Sequence, residues 1–223
     1  MKKYVVEFIG TFFLVSGAIL YGAIGASLAL IIMVYAGGHI SGAHYNPAVT
    51  TAMYIRGKVT SAELPGYYIA QLLAGVIAAT LIYYVFEKQG QNSVCDGFPN
   101  GAMKTALAEI IGTFALAYVI LNVATTKGTA GNSYFGLAIG GTVLAMAVAF
   151  GNFSGGVFNP AVGLGLCVHK SMCWANLWMF FVAPIIGGVI AAFVFRFVNE
   201  ADDEEPESIP EEQIIRTEGK VRH

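Results

Sequence analysis

Ser41-Gly42-Ala43-His44-Tyr45-Asn46-Pro47-Ala48-Val49 is written a second time in this chain, as Ser154-Gly155-Gly156-Val157-Phe158-Asn159-Pro160-Ala161-Val162. Six of the nine positions are identical, and a seventh is aromatic in both. Two Asn-Pro-Ala tripeptides inside one matched frame mark an internal duplication, so each half of the chain places the same asparagine somewhere. Asn is a preferred N-cap and Pro a preferred first helical residue, so each Asn-Pro announces a helix start. The first of these helices runs from Pro47 to Arg56 ahead of Gly57, and the second from Pro160 to Lys170. Ten residues at about 1.5 Å each cover about 15 Å, half of a hydrocarbon core of about 30 Å. Neither piece crosses alone. Two half-helices entering from opposite faces and meeting at the midplane replace one span. Incompletely helical backbone at that depth survives where it lines a water-filled cavity or is buried in protein.

The surroundings of the two boxes are those of a membrane protein. Of 223 residues 56% are hydrophobic and 12% charged, against about 25% charged in soluble domains. Apolar runs long enough to span lie near 4–20, 22–37, 66–86, 105–125, 134–150 and 174–197. The first two are almost continuous. Read as one helix they would extend about 50 Å, so a bend at Tyr21-Gly22 is expected. Met1-Lys2-Lys3 with the apolar run behind it also resembles a secretory leader, with Ser16-Gly17-Ala18 as a cleavage site. Glu7 argues for retention, because Glu7-Phe8-Ile9-Gly10-Thr11-Phe12 returns in register as Glu109-Ile110-Ile111-Gly112-Thr113-Phe114. A third echo pairs Ala70-Gln71-Leu72-Leu73-Ala74-Gly75 with Ala183-Pro184-Ile185-Ile186-Gly187-Gly188.

Each half therefore holds three spans, and three is odd. The second half enters the membrane from the opposite side, which makes an inverted repeat. Lys2, Lys3, Arg56, Lys58, Lys127 and Arg196 fall on one side, against Lys88, Lys104 and Lys170 on the other. That excess puts both termini in the cytoplasm and 88–103 outside. The expected fold class is an all-α membrane protein of six transmembrane helices plus two re-entrant half-helices. Residues 1–198 are read as one channel domain of two halves, 4–86 and 105–197. Residues 199–223, with nine of the fourteen acids, are read as an acidic disordered tail. The spacing of Cys95, Cys167 and Cys173 fits neither a disulfide framework nor a metal site, so isolated thiols are expected. Tyr4, Trp174 and Trp178 are expected to anchor at the membrane interface.

The arrangement carries a mechanism. Both half-helices aim their positive N-termini at the membrane centre, and Asn46 and Asn159 present amide donors beside them. A water whose oxygen is held by both donors cannot accept a proton from its neighbour, so neutral molecules pass while protons do not.

These residues resemble the aquaporin, or major intrinsic protein, family over about residues 4–197. The match rests on both Asn-Pro-Ala boxes, the Gly38-His39-Ile40-Ser41-Gly42 lead-in and an acid in the first and fourth spans. The resemblance implies a homotetramer in a cell membrane (plasma or bacterial inner), one pore per subunit, and passive conduction of water or small uncharged solutes. It implies that Asn46, Pro47, Ala48, Asn159, Pro160 and Ala161 form the pore motifs. It also implies that Glu7 and Glu109 accept hydrogen bonds from the re-entrant loops. His39 is read as supporting the first loop, and His39 and His44 as structural or pH-sensitive residues.

The departures from the family are as informative. The constriction positions implied by the resemblance are Ala26, Ala147, Gly156 and Val162, and the last stands where the family usually has arginine. The opening is then wide and apolar, admitting glycerol, urea or ammonia along with water, or the filter is built from other side chains. A poorly conducting structural or adhesion role on the same fold also stays open. No H-E-x-x-H or G-x-S-x-G pattern points to an enzyme. A secondary transporter would need a coupling-ion site beyond the residues seen. No cofactor, metal or nucleic-acid partner is expected; the partners are the solute and the lipid bilayer.

Overall fold

The computed structural model describes residues 1–86, 97–98 and 100–199. The acidic tail from Glu200, its expected disorder, Cys95 and most of the connection expected outside the membrane lie beyond the described residues. All regular structure among the described residues is helical: α1 (Lys2–Ser41), α2 (Pro47–Ile55), α3 (Leu64–Tyr84), α4 (Ala102–Thr125), α5 (Phe135–Ser154), α6 (Pro160–Val168) and α7 (Met179–Val198), with short 3-10 turns at Lys127–Thr129 and Trp174–Asn176.

The 40 residues of α1 are two spans joined with almost no loop. The helix breaks at Gly22, whose φ of 59° and ψ of −140° belong to a region that side chains strongly disfavour. Beyond the break the second arm folds back on the first. Gly17 and Gly25 let the arms meet backbone to backbone, since a Cβ on Gly17 would stand 2.7 Å from the Gly25 carbonyl carbon. Five helices are long and apolar enough to cross a membrane, and with α1 counted as its two arms they make six crossings. The last crossing covers Trp174–Val198, as expected, with a 3-10 turn at Trp174–Asn176 leading into the regular helix from Met179.

α2 and α6 are nine residues each, and both start at the proline of a box. Each asparagine caps its own helix by accepting from the second residue after it, Asn46 from Ala48 and Asn159 from Ala161, both at 2.8 Å. Each half-helix packs chiefly on the third span of the other half, α2 on α7 and α6 on α3. Glycine makes both contacts close. A Cβ at Gly75 would lie 2.6 Å from the Ala161 carbonyl oxygen, and one at Gly188 would lie 2.6 Å from that of Ala48. The two halves are therefore threaded into one another and share one core.

One sequence expectation needs correction here. Cys173 is disulfide-bonded, its partner lying outside the described residues, and Cys167 is a buried free thiol, so the three cysteines are not all isolated. The Tyr4 ring, half-buried at the start of α1, packs over Gly66 and edge-on to Tyr67, with centroids 5.7 Å apart. Trp174 and Trp178 are both more than half exposed, as interfacial residues are.

The hinge and the crossings make opposite demands on glycine, and mutation separates them. Nothing lies within 4 Å of a Cβ at Gly22, so Gly22→Ala meets backbone strain alone and should cost about 1–3 kcal/mol. Gly75→Leu meets the Ala161 backbone and should leave no folded protein. Thermal unfolding in detergent measures both, and an unshifted midpoint for Gly22→Ala would mean the hinge does not need its positive φ.

Candidate functional site: the crossing of the two re-entrant loops

Both loops are built by one recipe. Ser41 and Ser154 are the last helical residues of α1 and α5, and the glycine after each takes the left-handed conformation, φ 88° at Gly42 and 93° at Gly155. That conformation ends the helix and turns the chain back into the protein. The next residues would present bare backbone N–H groups at membrane depth, where no water pairs them. Two buried carboxylates do so instead. Glu7 accepts from the Ser41 hydroxyl at 2.7 Å, the His44 N–H at 2.9 Å and the Tyr45 N–H at 2.6 Å. Glu109 accepts from the Ser154 hydroxyl at 2.6 Å, the Val157 N–H at 3.0 Å and the Phe158 N–H at 2.6 Å. Both acids are fully buried.

The residue before each asparagine is aromatic because its ring is an anchor. Tyr45 and Phe158 carry positive φ, 50° and 48°, a rare conformation for such side chains. Their rings lie in slots left by Gly10 and Gly112, where any Cβ would overlap the ring. Each slot is three residues past the acid that holds the loop, so one turn of α1 and one of α4 supply both clamp and socket. The Tyr45 hydroxyl also donates to the Met33 carbonyl at 2.9 Å.

Held this way, the loops exchange hydrogen bonds across the centre. Asn46 donates from Nδ2 to the Phe158 carbonyl and Asn159 donates from Nδ2 to the Tyr45 carbonyl, both at 2.9 Å. An amide nitrogen has two hydrogens, and the exchange uses one of each pair. Asn46 and Asn159 both border a cavity that extends to the Gly22 hinge. Its walls are apolar: Leu14, Ala18, Ala26, Leu30, Leu116, Ile120, Val143 and Val162. His44 borders this cavity and also the larger vestibule on the other side of the crossing, which marks the neck between them.

The expected filter residues are partly brought together. Ala26, Gly156 and Val162 line this cavity. Ala147 stands beside Gly156, close enough that a Cβ there would meet Ala147 Cβ at 3.1 Å, while Val143, one turn earlier on α5, borders the cavity. His39 does not support the loop. The helix runs on to Ser41, which leaves His39 exposed on its last turn, bordering the vestibule. His44 takes that role: it is 3% exposed, lies 3.2 Å from Thr50 Oγ1 through Nδ1, and stacks on Tyr67 at 4.8 Å.

Sequence reading also missed Gln71. Its Nε2 donates to Glu7 at 2.8 Å and to Thr50 at 2.9 Å, which gives Glu7 a fourth donor. The signal was present in the paired segments, where Gln71 matches Pro184 and a polar group appears in only one half. The shared serines and the glycine three past each acid were equally visible there.

Comparison with known proteins agrees with this geometry. The model of the family described as Major intrinsic protein matches residues 16–195. The chain belongs to that family. It is 35% identical over 218 residues to a glycerol uptake facilitator protein-like 6 of Lactiplantibacillus plantarum, covering 91% of this chain and 100% of the relative. It is 32% identical to nodulin-26 of Glycine max over 225 residues, covering 91% of this chain and 79% of that one. Its fold matches the X-ray structure of the aquaglyceroporin from Plasmodium falciparum with a TM-score of 0.74 at 22% identity, covering 91% of this chain and 98% of the other. This major intrinsic protein is thus an integral membrane channel that passively conducts water, small solutes or both.

The carboxylate clamp predicts an order of damage. Glu7→Ala strips the acceptor from four donors, at about 1–3 kcal/mol for each one left unmet, and should unfold the channel in detergent. Gln71→Leu leaves Glu7 three donors, the number Glu109 has, and should cost only about 1–2 kcal/mol. Equal losses of thermal stability would mean that Gln71, not the loop backbone, is the main partner of Glu7.

Proposed function

We propose that this channel is a permissive facilitator, passing small neutral solutes such as glycerol, urea or ammonia along with water. The observation that carries the reading is Val162. It borders the cavity on the Gly22 side of the crossing beside Ala26 and Gly156, and among the described residues no arginine or lysine lines that cavity. A passage without charge and with few donors gives water little advantage over a small polyol, so discrimination falls to size. The glycerol-facilitator name of one relative accords with this reading.

In this proposal Asn46 and Asn159 hold the passing solute with their remaining N–H groups. The two half-helix N-termini, each with about half a positive charge, repel protons and other cations. Pro47, Ala48, Pro160 and Ala161 shape the half-helices that aim those donors. Residues 1–198 act as one channel domain of interleaved halves, and four copies form the working homotetramer in the cell's bounding membrane. Both termini lie in the cytoplasm in this proposal, a reading supported by the basic residues near the α1 start, the α2 end and the α7 end.

Swelling of proteoliposomes with a panel of neutral solutes tests the substrate class. Val162→Arg puts a charge and several donors at the Gly22-side cavity. It should lower the ratio of glycerol or urea permeability to water permeability at least severalfold at matched protein density. An unchanged ratio would remove Val162 from the constriction and with it the permissive reading. Orientation has its own check, labelling of a cysteine added after His223 in intact cells. Reaction with an impermeant reagent from outside would reverse the assignment.

A further inference from the structure

The two halves touch their own counterparts at two places. Asn46 and Asn159 stand 113 residues apart, and in an inverted repeat a pseudo-two-fold axis in the membrane plane exchanges such partners. A residue in contact with its own partner therefore lies close to that axis. The asparagine exchange is one such place, because Tyr45 and Phe158, whose carbonyls receive the two bonds, are themselves partners. Ser27 and Gly140 are the other. They too are 113 residues apart, and a Cβ on Gly140 would stand 2.7 Å from the Ser27 carbonyl oxygen. There the second arm of α1 crosses α5 backbone to backbone. Leu30 and Val143, again partners, follow three residues later on the same two helices. Both are buried, and both border the cavity that Asn46 and Asn159 border. The axis thus leaves the asparagines, crosses the lumen and meets its far wall at this pair.

We propose that Leu30 and Val143 together set the width limit of the passage, by fixing how far the wall stands from the asparagine donors. The inference rests on the permissive reading and deepens it, naming the side chains that decide which neutral solutes pass. Positions nearer the hinge are less suited. Ala26 and Gly156 border the cavity with little bulk. Ala147 is covered by Gly156, where a Cβ would meet its own at 3.1 Å. The wall at Leu30 and Val143 is also stiff. Gly140 leaves no slack between the two helices, so a solute cannot spread the pair without parting their backbones. Val143 is β-branched, which in a helix holds it to essentially one rotamer. The donors opposite are fixed in turn by their exchange. A solute bonded to the asparagines is therefore gauged against Leu30 and Val143 where neither side yields. The partners differ by one carbon, so bulk can be moved from one to the other without changing its sum.

The test uses the full chain in phosphatidylcholine liposomes, with permeability to water, urea, methylurea and dimethylurea read at matched protein density. Wild-type urea flux above that of empty liposomes tests the permissive reading by itself. Given that flux, Val143→Ala should raise the ratio of dimethylurea to water permeability at least about threefold, and Val143→Leu should lower it by a similar factor. Val148→Ala makes the same change on α5 at a residue 73% exposed and away from the cavity, and should leave the ratio alone. Adding Leu30→Val to Val143→Leu exchanges the two side chains across the axis and should return the ratio to its wild-type value. General loosening of the core does not produce that rescue. If wild type passes water alone, the permissive reading fails, and Leu30→Ala with Val143→Ala should then open the channel to urea. Exclusion of urea by that double variant would overturn the pair. So would Val143 variants that match Val148→Ala, or a Val143→Leu defect that Leu30→Val leaves unrepaired. The exchange keeps side-chain volume constant, so it decides the matter even where an alanine variant fails to fold.

Discussion

The exchange of hydrogen bonds between Asn46 and the Phe158 carbonyl, and between Asn159 and the Tyr45 carbonyl, is the constraint on which the molecule depends. It joins two loops from opposite faces of a membrane, and neither loop is stable there alone. Each turns through several residues without its own ladder of hydrogen bonds, in a medium that supplies none. Glu7 and Glu109 exist to meet that need, and burying them is tolerable because each accepts from at least three donors. The aromatic anchors, their glycine slots and the left-handed turns at Gly42 and Gly155 then follow as the local geometry of a clamped loop.

Function follows from what the clamp leaves over. Once each amide has spent one N–H across the centre, one donor per asparagine is left over. In the proposed function those donors and the half-helix N-termini hold a neutral acceptor and disfavour a cation, without any group changing its bonds during passage. The walls beyond it add bulk but no charge, from Leu14 and Leu30 to Val143 and Val162. In that proposal the electrostatic work is concentrated on one side of the passage and the steric work on another.

Much of this was legible in the sequence because duplication shows which residues matter twice. The boxes gave the half-helices within a residue or two, and the paired acids gave the loop supports. The hinge at Gly22 was legible from length alone, since 40 residues of helix overrun any bilayer. What stayed hidden was direction. Sequence distance put His39 beside the first loop, but two more helical residues carry it away, whereas His44 lies inside. Ala147 and Val143 differ by one turn of α5, and counting from a motif cannot decide which of the two borders the cavity. The interleaving of α2 with α7 and of α6 with α3 was likewise invisible, although Gly75 and Gly188, which permit it, stand in matched positions.

The halves are not equal, and their differences fall in one place. Thr50 Oγ1 receives a bond from Gln71, lies within bonding distance of His44, and itself donates to the Asn46 carbonyl at 3.0 Å. At the matched positions the second half has Val157, Gly163 and Pro184. A polar brace behind the first loop is thus replaced as a set by apolar residues behind the second. The replacement has to be collective. Removing one member of the brace leaves the others buried with partners missing, at about 1–3 kcal/mol for each unmet group, whereas removing all of them leaves only a surface to pack. The serine–carboxylate clamp therefore suffices to hold a re-entrant loop, and the brace serves the neck itself. It fixes the ring of His44, which borders both cavities, against Thr50 and Tyr67.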